Sequence, residues 1–139
     1  MEPLVKIPEN HPAVSRGFSG PVWLDKNGLV YMIAGNEPEH SLEHAKSQIE
    51  AFEEVCGGTA RPVLVDFTNM KAMSRPAREF YTGKGNMKRI KALAIVSGSK
   101  MGFFVANFFI GVNLQTEIPI RICNDVETAI AWLKQFKNA

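Results

Sequence analysis

Cysteine is scarce in this chain. Cys56 and Cys123 are the only two in 139 residues, and neither belongs to a C-x-x-C or C-x-x-x-C spacing. That argues against a disulfide framework and for a reducing compartment. Cys56 ends a helical pattern and Cys123 an apolar strand, where each fits as a small buried hydrophobe. Long apolar runs are also missing. The longest, Phe103–Val112, is broken by Asn107 and is too short to span a bilayer. Glu2, Pro3, Lys6, Pro8 and Glu9 interrupt any secretory leader at the start. The cytoplasm is the expected location, with no transmembrane segment.

Catalytic signatures are sparse too. No G-x-S-x-G elbow is present, and no G-x-G-x-x-G follows a strand. Thr82-Gly83-Lys84-Gly85-Asn86 resembles a phosphate loop, but Arg78 stands where a Walker loop needs glycine. Only three histidines occur: His11, His40 and His44. His40-Ser41-Leu42-Glu43-His44 has the H-x-x-E-H form of some zinc peptidases. A third metal ligand is not singled out by spacing, and catalytic zinc normally needs three. The expectation is that both histidines flank an acidic helix whose Leu42 turns to the core. No cofactor is expected.

The net charge is +2, too small to argue for nucleic acid, yet it is unevenly spread. Residues 1–70 carry ten acidic and five basic side chains; residues 71–100 carry eight basic ones against Glu79 alone. The basic zone includes Lys71, Arg75, Arg78, Lys84, Lys88, Arg89 and Lys91. It is expected to meet solvent, or an acidic surface such as the first helix of another subunit. That helix region carries Glu37, Glu39, Glu43, Glu50, Glu53 and Glu54.

The pattern of elements is more informative. Residues 1–17 hold three prolines and read as an N-terminal arm, with one domain over residues 18–139. Pro21–Leu24 and Leu29–Ile33 read as a hairpin closed at Asn27-Gly28. Pro38–Val55 reads as a helix with Asn36 as cap and Glu39 as its partner. Its apolar stripe is Leu42, Ala45, Ile49, Phe52 and Val55. Gly57-Gly58 ends it. Val63–Phe67, Lys91–Val96 and Ile118–Cys123 read as strands, the first two apolar enough to be covered on both faces. Helices are expected at Arg75–Tyr81 with Ser74 as cap, at Met101–Val112, and at Val126–Phe136 with Asn124 as cap. The fold class is therefore α/β. A two-layer domain is predicted, with a mostly parallel sheet of four to five strands, an N-terminal antiparallel hairpin and four helices.

Several of these segments resemble the STAS-like domains, the fold of bacterial anti-sigma-factor antagonists. The resemblance rests on Val65-Asp66-Phe67-Thr68, Met73-Ser74, Ala77-Arg78, Tyr81, Ala94-Ile95-Val96, Ala106-Asn107-Phe108-Phe109 and Ala129–Lys134. More closely, the chain resembles a group of small bacterial STAS-like proteins with no assigned activity. In the antagonists, a strand ending in Asp leads to a Ser or Thr that a partner kinase phosphorylates. Asp66 and Thr68 sit where that motif begins. The switch position falls on Arg75, with Ser74 one residue early. The architecture is also similar to lipid-carrying CRAL-TRIO-like domains.

Candidate binding residues follow from both readings. Asp66 is expected to accept loop N–H groups, pair with Arg78, or face a ligand at the end of a central strand. Gly98-Ser99-Lys100 opens the third helix and could hold an anion. That helix is apolar on nearly every side. Val105, Phe108 and Val112 are expected to face the sheet, leaving Met101, Phe104 and Phe109 for a second partner. A second subunit, most simply in a dimer, is the leading candidate, ahead of the folded-back arm and an apolar small molecule. The predicted function is a non-enzymatic STAS-like binding or regulatory domain. A small apolar-ligand or lipid carrier and a zinc hydrolase using His40 and His44 are the alternatives. The candidate binding set is Asp66, Thr68, Ser74, Arg75, Arg78, Lys100, Phe104 and Phe109.

Overall fold

The computed structural model describes residues 1–8, 15–16, 19–83, 85–112 and 118–137, without the side chains of residues 15, 16 and 112. His11 and Lys84 lie outside the described residues. Six strands lie side by side in chain order. They are β1 (Ser15–Arg16), β2 (Pro21–Leu24), β3 (Val30–Ile33), β4 (Arg61–Asp66), β5 (Ile90–Val96) and β6 (Ile120–Cys123). β1, β2 and β3 pair antiparallel, and β3 to β6 pair parallel. The sheet thus gains one short strand, β1, from the segment read as an arm. The hairpin closes as the sequence predicts. Gly28 takes φ 87°, and Asp25 Oδ1 accepts from the N–H groups of Asn27 and Leu29.

Helices α1 (Leu42–Cys56), α2 (Arg75–Thr82) and α3 (Lys100–Val112) link the parallel strands. Each crossover advances the sheet by one strand in the same direction. Right-handed connections of that kind place all three helices on one face. Strand residues alternate accordingly. Val22, Met32, Val63, Val65, Leu93 and Ile95 join Phe52, Val105 and Phe109 in one core. Trp23, Ile33, Leu64, Ala94 and Val96 join a second core with Val5 and α4 (Val126–Leu133). The two-layer expectation therefore gains a third layer: α4 and the N-terminal segment cover the other face.

Two caps differ from expectation. α1 starts at Leu42 rather than Pro38, because His40 is drawn into an extended bridge with Met73. His40 N–H donates to Ala72 O at 2.8 Å, and Ser74 N–H donates to His40 O at 2.9 Å. Ser41 then caps α1 with His44 in the reciprocal position, in place of Asn36 and Glu39. At α4 the cap is Asp125 rather than Asn124, accepting from Thr128 N–H at 2.7 Å. The last turn, Lys134–Phe136, tightens to a 3-10 helix.

Candidate functional site

The carboxyl ends of β4 and β5 form a polar knot. Asp66 is wholly buried. Its Oδ2 accepts from Leu4 N–H at 2.5 Å and Val5 N–H at 2.9 Å. Its Oδ1 accepts from Thr68 N–H at 2.8 Å and Thr68 Oγ1 at 2.6 Å. Thr68 Oγ1 in turn accepts from Gly98 N–H at 2.8 Å. Every lone-pair direction a carboxylate offers is thereby used within the chain. Asp66 fastens the N-terminal segment, and no ligand-facing oxygen remains. Arg78 does not pair with it.

The expected anion site at α3 is similarly occupied. Ser99, not Lys100, governs this helix start. Ser99 Oγ donates to Thr68 O at 2.6 Å and accepts from Gly102 N–H at 3.0 Å. A Cβ at Gly102 would strike Phe67 O and Ser97 Oγ, so only glycine lets the first turn approach the loop after β4. Lys100 is exposed. At α2, Ser74 Oγ accepts from Ala77 N–H at 3.2 Å, the cap the sequence predicts. Arg75 is exposed and lies 3.6 Å from Glu79 one turn on.

α3 presents a different face from the one expected. Phe109 is 3% exposed and packs edge-on against Phe67 and Tyr81. Phe108, assigned to the sheet by the sequence, is 49% exposed. The two neighbours exchange roles because Gly102 and Val105 fix the rotation of the helix, and Phe109 follows Val105 by one turn. The outer stripe is Met101, Phe104 and Phe108, with Phe104 the most exposed at 68%. Arg78 lies across the Phe108 ring, 4.6 Å from its centroid, while its Nη1 donates to Met73 O at 2.6 Å. Part of the basic zone is answered internally: Arg89 meets Glu53 of α1 at 2.9 Å.

A second polar centre lies at the entry to α1. His40, expected on a solvated flank, is 1% exposed. Its Nδ1 is 2.8 Å from Glu37 Oε1 and its Nε2 is 2.7 Å from Tyr81 Oη. Burial lowers the His40 pKa, and Glu37 partly opposes this. Burial raises the pKa of Tyr81, with Glu37 adding to the effect. Ser19 Oγ donates to Glu37 at 2.9 Å and lies 3.3 Å from His40 Nδ1. This is not a nucleophile's geometry. Serine and carboxylate approach the same ring nitrogen, whereas an activated serine needs the other nitrogen for itself. Ser19 is also wholly buried. The H-x-x-E-H pattern singled out His40 but not its burial; the signal that moves it off the helix is Ser41 and His44, a capping-box spacing with His in place of Glu.

His40 precedes the helix that bears His44, so the H-x-x-E-H reading loses its shared helical face. Among the described residues no three His, Cys, Asp or Glu side chains are grouped to hold a metal ion. A cavity of about 40 Å³ lies between the sheet and α1–α3. Phe109 lines it; Phe104, Phe108, Arg78 and Lys100 do not. Lipid and drug-sized sites are about 300–1,000 Å³, so an acyl chain does not fit. No described helix is long and apolar enough to cross a membrane.

This architecture is the STAS-like fold. It is similar to the crystal structure of an uncharacterized DUF3478-family protein with a SpoIIAA-like fold from Shewanella loihica PV-4. The TM-score is 0.58 at 17% identity, over 92% of this chain and 99% of that one. Within that class the chain belongs to a family described as a domain of unknown function, DUF7793, whose model matches residues 22–137. No curated protein matches it.

Proposed function

We propose that this chain is a non-enzymatic STAS-like binding domain that pairs with a second copy of itself through the outer stripe of α3. The carrying observation is the exposure of Met101, Phe104 and Phe108 together on one helix face. Large apolar side chains gathered in a patch mark interfaces more often than scattered ones do. The stripe is nearly symmetric about Phe104. Two α3 helices crossing antiparallel on a two-fold axis would set Phe104 against its counterpart and Met101 against Phe108. Gly111 is exposed, and a Cβ added there would meet no described atom within 4 Å, which leaves room for the helix ends to approach closely.

The nucleophile and metal readings lack support in the geometry of Ser19, His40 and His44, which favours binding over hydrolysis. Arg78 and Phe104 carry the binding role in this reading. Asp66, Thr68, Ser74 and Phe109 hold the scaffold, and Arg75 and Lys100 remain exposed. In this reading residues 18–139 are the domain and residues 1–17 its arm, tied to it where Leu4 and Val5 donate to Asp66 and where Ser15–Arg16 pairs with β2. Buried free thiols at Cys56 and Cys123 suit a cytoplasmic home.

Sedimentation equilibrium tests the proposal. The native chain is expected to be a dimer at micromolar concentration, and Phe104→Asp a folded monomer. A native monomer overturns self-association, and a different protein bound at the stripe replaces the second copy as its occupant.

A further inference from the structure

The core facing α1–α3 does not close completely, and the cavity there is chemically distinctive. Met32, Met70 and Met87 form much of its wall, and all three are buried. Methionine walls adapt to an occupant because the side chain is unbranched and polarizable. No Lys, Arg, Asp or Glu lines it. Its polar members are Gln48, His40 and Tyr81. Gln48 is 2% exposed. Its Nε2 donates to Ile33 O at 3.5 Å, but its Oε1 has no partner among the described residues. Leaving a buried acceptor unmatched is costly. His40 and Tyr81 already satisfy each other. The outstanding demand in this apolar space is for one hydrogen-bond donor.

We infer that this cavity is a binding site for a small neutral molecule with an apolar body and one hydroxyl or N–H group directed at Gln48 Oε1. A water occupies about 10–15 Å³ of such space, so the cavity accepts about three such bodies in a row. That matches a short-chain alcohol and rejects a lipid. Anions and cations are disfavoured because nothing charged lines the walls to compensate their desolvation. The site is independent of the outer α3 stripe.

Methyl-labelled methionine in the full chain gives a local readout. Ethanol and acetonitrile serve as probes of three heavy atoms each, one with a donor and one without. Ethanol is expected to shift the Met32, Met70 and Met87 methyl resonances saturably and leave the exposed Met101 unmoved. Acetonitrile is expected to bind about fivefold more weakly, the loss of one hydrogen bond. Gln48→Leu should erase that difference, and Ala34→Leu should fill the cavity and abolish the shifts. Equal binding of the two probes overturns the inference. So do non-saturating shifts shared by Met101, or a cavity whose water no alcohol displaces. If Gln48→Leu fails to fold, the two-probe comparison on the native chain still decides.

Discussion

α3 and α4 are both rich in apolar residues, yet only α4 leaves none of its large apolar side chains exposed. α4 lies across the middle of the sheet, where Ala129 and Leu133 are buried. Its surplus ring, Trp132, packs on Phe136 at 5.0 Å and lies beneath the Arg121 guanidinium. α3 precedes the edge strand β6 and stands last in the row α1–α2–α3. Among the described residues it has a helical neighbour on one side only. Met101, Phe104 and Phe108 face outward for that reason. Position in the layer, rather than composition, separates a covered helix from a presenting one.

The sharpest way to break this contrast is within α3 itself. Phe109→Ala should cost about 4 kcal/mol, as a buried aromatic truncation does. Phe108→Ala, one residue away, should cost under about 1 kcal/mol, mostly the contact with Arg78. Urea unfolding measures both, and similar losses would mean that α3 has no free face. Next in size, Asp66→Ala should cost about 3 kcal/mol, because the Leu4, Val5 and Thr68 donors lose their acceptor. Amide hydrogen exchange should quicken at Leu4 and Val5 while α3 stays protected. Exchange that quickens in α3 instead would separate Asp66 from the strap over the α4 face.

Smaller effects refine the picture. Ser74→Ala should cost about 1 kcal/mol through its cap on α2. The smallest is pH-dependent. The folded-state pKa of His40 is lowered by burial, so the unfolded chain binds its proton more readily. The His40 contribution is complete above the unfolded value of about 6.5 and is lost as pH falls toward the folded value. Urea midpoints measured across that window should decline with acid, and less steeply in His40→Gln. An unchanged slope in His40→Gln would assign the decline to other groups.

Much of the fold was legible in the sequence because its signals are local. Asn27-Gly28 closed the hairpin, Gly57 ended α1, and Ser74 capped α2 as their chemistry predicts. The candidate site was legible only in part. Phe104 was placed correctly on the outside. Phe108 and Phe109 were interchanged, because a helix apolar all round carries no phase for a pattern to read. His40 was misplaced because the bridge that buries it comes from Met73, thirty-three positions away.

By itself, then, the sequence determined the order of the elements from β2 onward and the parallel topology. Spacing, turn chemistry and capping act over a few residues, and those can be read along a line. Only the tertiary structure decided that Asp66 holds the N-terminal segment and that His40 joins Glu37 and Tyr81. It also decided which edge of α3 meets the sheet. Each of those outcomes depends on partners brought together by the crossovers, and no local pattern encodes a neighbour sixty residues away.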